Sequence, residues 1–192
     1  MKYYSQCSQD RFVIDVLNNL NNIENGTFLD FGCWKPHEGN NTYVLEKKYS
    51  FTGISIDIDA SVIPLWEHSD RNDKNFKLID LSSANIKEIL GNNYPNTKII
   101  DYFSFDLEPP LLTLEVLQKI PFDEYRFKVV TYEHDGHRGF DTIKPSREIF
   151  TKNGYKRIKS DLMEQYWRNV SLAEDWWVLP DLIKIDKKYL DE

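Results

Sequence analysis

A chain of 192 residues, 41% hydrophobic and 14% aromatic, is long and apolar enough to bury the core of one domain, which excludes an intrinsically disordered chain. A net charge of −7 with no basic run argues against a nucleic-acid backbone as the main partner. No apolar run nears membrane-spanning length, residues 1–10 (MKYYSQCSQD) lack a signal-peptide core, and two cysteines make no disulfide framework, so a reducing, cytoplasmic setting is expected.

Residues 8–20 carry Phe12, Val13, Val16, Leu17 and Leu20 at helical spacing, with Ser8 as the expected N-cap. Residues 27–31 are β-prone and apolar and predict a buried first strand ending at Asp30. Gly32 permits a turn that a Cβ would resist, Pro36, Gly39 and Asn40 keep the loop open, and a helix follows over about 41–48. Strand two covers 51–57 and a helix 60–68, weakened at its start by Pro64. Strand three covers 76–80, with a short helix over 83–90. Strand four lies within 98–106, followed by a helix over 111–120 whose shared face is Leu111, Leu114, Leu117 and Ile120. Strand five covers 127–133, and a helix over 144–153 ends at Gly154 as a C′ residue. Strand six covers 155–160. After a long linker over 161–173, able to cover a ligand, a last strand over 174–179 stops at Pro180.

Alternating strands and helices define an α/β fold with a mostly parallel sheet, one domain over residues 1–192 with residues 1–22 as an N-terminal helical segment. Strands one to five end in acids, Asp30, Asp57, Asp80, Asp106 and Glu133, spaced 23 to 27 residues apart, about one strand–helix unit each. Ligands of such sheets bind beyond the carboxyl ends of the strands, so five carboxylates are expected along one binding edge. The plainer reading, that acids there cap the following helices, explains one or two of them.

An acid and a glycine after strand one form an adenosine-cofactor loop, and Asp57 is placed to accept both ribose hydroxyls. That spacing suits NAD as well as S-adenosylmethionine (SAM). A dinucleotide needs G-x-G-x-x-G, and Trp34 stands where the second glycine belongs, which points to SAM over an NAD-dependent oxidoreductase. Asp80 is placed for the adenine amino group, or caps the next helix. Ile58 and Leu81 beside these acids complete that side of the site. The second cluster is Asp106-Leu107-Glu108-Pro109-Pro110. The third is Glu133-His134-Asp135, in which Glu133 and Asp135 share one side of the strand and His134 faces the other. O-methyl transfer needs a group to take the acceptor's proton, and Asp106, Glu108, Glu133 and His134 are the candidates. Trp34, Trp167, Trp176 and Trp177 are candidates to stack on a sugar, with core packing the competing reading for Trp176 and Trp177. No metal-ligand spacing is recognisable, and a catalytically inactive glycan- or protein-binding module is the reading from a different class.

Five segments in order (residues 5–17, 26–47, 51–59, 101–123 and 127–135) resemble the FkbM family of SAM-dependent methyltransferases. The resemblance implies a class I methyltransferase fold, a seven-stranded sheet with an antiparallel last strand. It also implies O-methylation of a sugar in a glycan or a small natural product. It puts Asp30 and Gly32 in the cofactor loop, Asn41 and Thr42 near the methionine part, and Asp57 on the ribose. Gln9 and Asp10 fall in an N-terminal segment over the cofactor. The chain departs from the family at Glu108-Pro109, where an acid–glycine pair is usual, and at Cys33-Trp34, where small residues are. The implied partners are a sugar or glycan acceptor, with the chain a monomer or homodimer or a domain of a larger glycan-building polypeptide.

Overall fold

Every strand expected from the apolar runs forms, and all join one seven-stranded sheet. The structure, a computed structural model, describes residues 1–18, 23–162 and 173–185. The strands are β1 (Thr27–Phe31), β2 (Thr52–Asp57), β3 (Phe76–Leu78), β4 (Ile99–Phe105), β5 (Arg126–Glu133), β6 (Lys156–Leu162) and β7 (Glu174–Val178). Their order is β3-β2-β1-β4-β5-β7-β6. The five from β3 to β5 run parallel, and β7 is antiparallel to both its neighbours. The chain order reverses at β1, which lies between β2 and β4, and a switch point of this kind opens a crevice at the carboxyl edge.

Alternation along the strands builds two cores from adjacent residues. Phe28, Tyr102, Val129 and Trp176 pack on one face with α1 (Gln9–Asn18) and α2 (Tyr43–Tyr49). Leu29, Phe103, Val130 and Trp177 pack on the other with α4 (Ile86–Asn93), α5 (Pro110–Gln118) and α6 (Ile143–Lys152). Trp176 stacks on Phe12 at 4.3 Å and Trp177 on Phe150 at 4.9 Å, so both are core residues and neither reaches a ligand. Trp167 lies outside the described residues.

Four local expectations shift for identifiable reasons. Ser8 takes φ 68° and offers its carbonyl to the Phe12 N–H at 3.0 Å, while Asp10 anchors the approach to α1. A 3₁₀ turn over Ala60–Val62, its Asp59 cap accepting from the Ser61 N–H, precedes α3 (Ile63–Glu67), and Pro64 sits harmlessly in the first turn. α4 begins at Ile86 because Asn85 caps it, accepting from the Glu88 N–H at 3.2 Å. α5 buries Pro110, Thr113, Val116 and Leu117, while Leu111 is 51% exposed. The Thr113 hydroxyl is tied to the backbone of Leu107, donating to its carbonyl at 2.6 Å, and that turns the Thr113 face inward.

Candidate active site

A cavity of about 460 Å³ opens at the carboxyl ends of β1 to β5. Of the five strand-terminal acids, Asp57, Asp80, Asp106 and Glu133 line it, together with Gly32, Ile58, Leu81 and Glu108 from the expected site. A larger, more open groove along α6 (Ile143, Arg147, Glu148, Thr151) carries no strand-terminal acid.

Gly32 is the seam between the two sides of this cavity. It takes φ 78°, and a Cβ there would lie 1.5 Å from the Asp106 backbone oxygen, so only glycine lets the β1 loop touch the end of β4. Two residues on, Trp34 also takes a positive φ, 44°. The loop therefore keeps a glycine-like bend at the position of a second glycine while carrying a large ring, 45% exposed, into the cavity wall. The Trp34 N–H donates to Asp57 Oδ2 at 2.7 Å and the Asp59 N–H to Asp57 Oδ1 at 2.9 Å, which fixes that carboxylate at the rim. Asp80 Oδ1 accepts from the Ser82 N–H at 2.9 Å and the Ser82 hydroxyl at 2.6 Å. Asp80 thus both closes its turn and lines the cavity. Hydrogen bonds from Ser82 hold its carboxyl below the usual range, and those from Ser61 do the same for Asp59.

Asp30 is not part of the cavity wall. It is 2% exposed, accepts from the Thr42 hydroxyl at 3.0 Å and supports the start of α2 from behind the loop. Burial raises its carboxyl to about 6 despite the nearby Arg71 charge. Thr42, fully buried, accepts from Arg71 Nη2 at 3.1 Å, and Arg71 Nη1 reaches Asn40 Oδ1 at 2.9 Å and the Pro36 carbonyl at 3.2 Å. Arg71 also pairs with Glu46 and so pins the loop between β1 and α2. Asn41 donates to Ser104 Oγ at 3.0 Å on β4, and its Oδ1 is a buried acceptor with no donor among the described residues. Gln9 and Asp10 do not reach the cavity. Gln9 Nε2 donates to Glu174 Oε2 at 2.8 Å, and Asp10 accepts from the Tyr4 N–H at 2.7 Å and the Ser5 hydroxyl at 2.6 Å. They hold down an N-terminal strap, bridged to Gly39 through Ser5, that brings Gln6 to the cavity instead.

On the other side, Phe105 of β4 pairs with Tyr132 of β5, so Asp106 and Glu133 follow as the next residues of adjacent strands, both on the cavity wall. Burial raises Asp106 to about 7, and burial plus the Asp106 charge raises Glu133 well above the carboxylate range. No cation among the described residues pairs with either. Glu174, opposite Glu133 on β7, is 3% exposed and raised to about 8 by burial, though Trp176 Nε1 and Gln9 donate to it. Glu108 is exposed, and both its oxygens accept from Arg138 Nη1, at 2.6 and 2.7 Å. Asp135 accepts from the same nitrogen at 3.0 Å. His134 is placed apart from the other base candidates. It is fully buried and lines no part of the cavity, with Nε2 3.6 Å from Asp175 on the opposite side of the strand.

Residues that sequence reasoning missed are of two kinds. Gln6, Asp59, Ile79, Leu107 and Leu112 also line the cavity; the strand-end pattern located Asp59, Ile79 and Leu107 to within one or two residues, while Gln6 and Leu112 lie farther from any predicted position. Arg71 and Glu174 had no local signal, because both act through partners 25 or more residues away. No group of three or more His, Cys, Asp or Glu among the described residues could hold a metal ion.

No protein-family model matches the sequence, and no curated protein does. Solved structures match its fold. Magnesium protoporphyrin IX methyltransferase (ChlM) from Synechocystis PCC 6803, with bound SAM, superposes with a TM-score of 0.58 at 14% identity, covering 90% of this chain and 78% of that one. The plantazolicin methyltransferase BpumL, in complex with SAH (S-adenosylhomocysteine), gives 0.57 at 13% identity, covering 90% and 82%. The S. pombe Dnmt2 methyltransferase gives 0.56 at 18% identity, covering 80% of this chain, which spans about half (49%) of that one. With the observed strand order, these similarities define a class I methyltransferase fold.

Proposed function

We propose that this chain is a SAM-dependent methyltransferase acting on a hydroxyl, with a sugar or glycan as acceptor. The observation that carries the reading is the cavity at the β1 switch point, with the Asp57 carboxylate presented at its rim and a carboxyl pair at its inner end. Asp57 and Asp80 would hold the adenosine part, flanked by the apolar Ile58 and Leu81. Asn41 Oδ1, an unsatisfied buried acceptor beside β4, suits a donor group of the ligand, and so supports the fit. SAM supplies a methyl group activated by a sulfonium. The chain's part is to orient the acceptor and take its proton, and the position of Asp106 and Glu133 on the cavity wall supports them as the groups that do so.

Trp34 in the cavity wall argues against a pyrophosphate, hence against NAD. The cavity lining includes six carboxylates and no Lys or Arg among the described residues, which supports an uncharged acceptor over a polyanion. The choice of a sugar rests on the FkbM-like segments, which supply most of the strand ends that line the cavity. Calorimetry with SAM and with NAD tests the reading: SAM gives heat that Asp57→Ala removes, and NAD gives none. Methyl transfer to a panel of sugars, followed by mass spectrometry, tests the acceptor. SAM binding with no sugar methylated would remove the acceptor class and leave the cofactor.

A further inference from the structure

Two features of the cavity's inner end belong together. Asp106 and Glu133 close adjacent parallel strands in register, and strands in a sheet lie about 4.8 Å apart, so the two side chains meet on the cavity wall. The charged groups around them are also nearly all acidic. Asp30 stands behind β1, Glu108 follows β4, Asp135 follows β5, and Glu174 lies across on β7. Arg138, the cation of this neighbourhood, is already committed to Glu108 and Asp135. Two carboxyl groups this close, with acids around them and no cation of their own among the described residues, do not both stay ionised.

We propose that Asp106 and Glu133 form one proton-holding unit that releases its proton when the cationic methyl donor enters the cavity, and is thereby armed to take the acceptor's proton. The inference rests on the methyltransferase reading and adds to it a coupling between donor binding and base readiness. With the adenosine part at Asp57 and Asp80, the cavity wall that the remainder of the donor would face is Gly32 and the end of β4, which touch each other. A positive charge arriving there favours the doubly ionised pair and expels the shared proton to solvent. In the transfer itself, the acceptor oxygen gains a bond to the methyl carbon and the carbon–sulfur bond breaks with its electron pair left on sulfur. The acceptor's proton passes to the carboxylate pair. Charge balances, since a sulfonium becomes a thioether while the pair goes from two negative charges to one. Without a donor the pair stays protonated and cannot act as a base.

The test is calorimetry of the intact protein with SAM and with SAH at pH 7.5, each in phosphate and in Tris. The dependence of heat on buffer ionisation enthalpy counts protons. SAH shares the adenosine and the amino-acid group but lacks the sulfonium charge, so titration of the ligand's own amine cancels in the comparison. The expected result is release of about one proton with SAM and less than half of that with SAH. Asp106→Asn and Glu133→Gln, with folding confirmed by circular dichroism, lower the SAM-linked release at least threefold. The wild-type SAM–SAH difference stands even if neither variant folds. SAM binding with no net proton release, or equal release with both ligands, or full release in a folded Asp106→Asn protein, overturns the proton unit alone. Absence of any SAM heat overturns the methyltransferase reading on which it rests.

Discussion

The two sides of the cavity use the same residue type in the same topological position and obtain opposite chemistry from it. On the β2–β3 side, Asp57, Asp59 and Asp80 sit in exposed or half-exposed turns and each accepts a backbone N–H. Hydrogen bonds hold Asp59 and Asp80 in the charged form, suited to accepting hydroxyl or amino donors. On the β4–β5–β7 side, Asp106 and Glu133 are half-buried beside each other and Glu174 is buried, and desolvation raises all three. A strand-terminal acid is therefore not a role in itself. Backbone donors and solvent keep it charged, while burial beside another acid favours its protonated form.

The comparison breaks most completely at the seam. Gly32→Ala would drive a Cβ into the Asp106 carbonyl at a positive φ, so we expect a loss of more than about 10 °C in Tm, or no soluble protein, by thermal denaturation. Next come the proton carriers. Asp106→Asn or Glu133→Gln should lower kcat by about 10²–10³-fold on whichever panel sugar the wild type methylates, with a smaller change in the Kd for SAM. A loss confined to Kd would move these residues to the anchoring side. Asp57→Ala should do the reverse, weakening SAM by about 10–100-fold in calorimetry through lost charged hydrogen bonds.

The pH dependence of stability sharpens the same contrast. Asp30, Asp106 and Glu174 have folded values of about 6, about 7 and about 8, above their unfolded values. The native state therefore holds protons that the unfolded chain has already released. Their contribution is complete below about pH 4 and is lost as pH rises through 6 to 8. At Asp175 burial pushes upward, but His134 and Arg147 outweigh it and hold the carboxyl at about 2, so its contribution is lost only as pH falls from about 4 toward 2. The ligand-free protein should melt about 5 °C or more lower at pH 8.5 than at pH 5.5, and Glu174→Gln should reduce that difference. A flat profile would remove the distinction between the two sides. The smallest effect is expected at Asp80→Ala, where loss of the Ser82 hydrogen bonds lowers Tm slightly in thermal denaturation, less than any change above.

Legibility in the sequence followed the range of the interaction. Strand ends, the Gly32 bend and the position of the last strand were readable because apolar β-prone runs, a left-handed turn and a proline stop act over a few residues, while the antiparallel direction of that strand came from the FkbM resemblance. Four of the five acids reached the cavity as their spacing implied. Asp30 did not, because Thr42 draws its carboxylate toward α2. His134 passed as a base because its neighbours in sequence are acids, yet alternation along β5 turns it toward Asp175. Gln9 and Asp10, expected over the cofactor, lie outside the cavity, since their partners, Glu174 and the strap at Tyr4 and Ser5, are set by how the N-terminus crosses the sheet.

The sequence by itself determined the α/β class, the edge where ligands bind and the residue types available there, because each is encoded in local pattern and spacing. Only the tertiary structure decided which acids are solvated and which are buried. That depends on what β7 and the N-terminal strap cover, and on the register between β4 and β5, which are contacts between residues far apart in the chain. Since desolvation and neighbouring charge set the protonation of a carboxyl, the division of this cavity into an anchoring side and a proton-holding side arises in the fold.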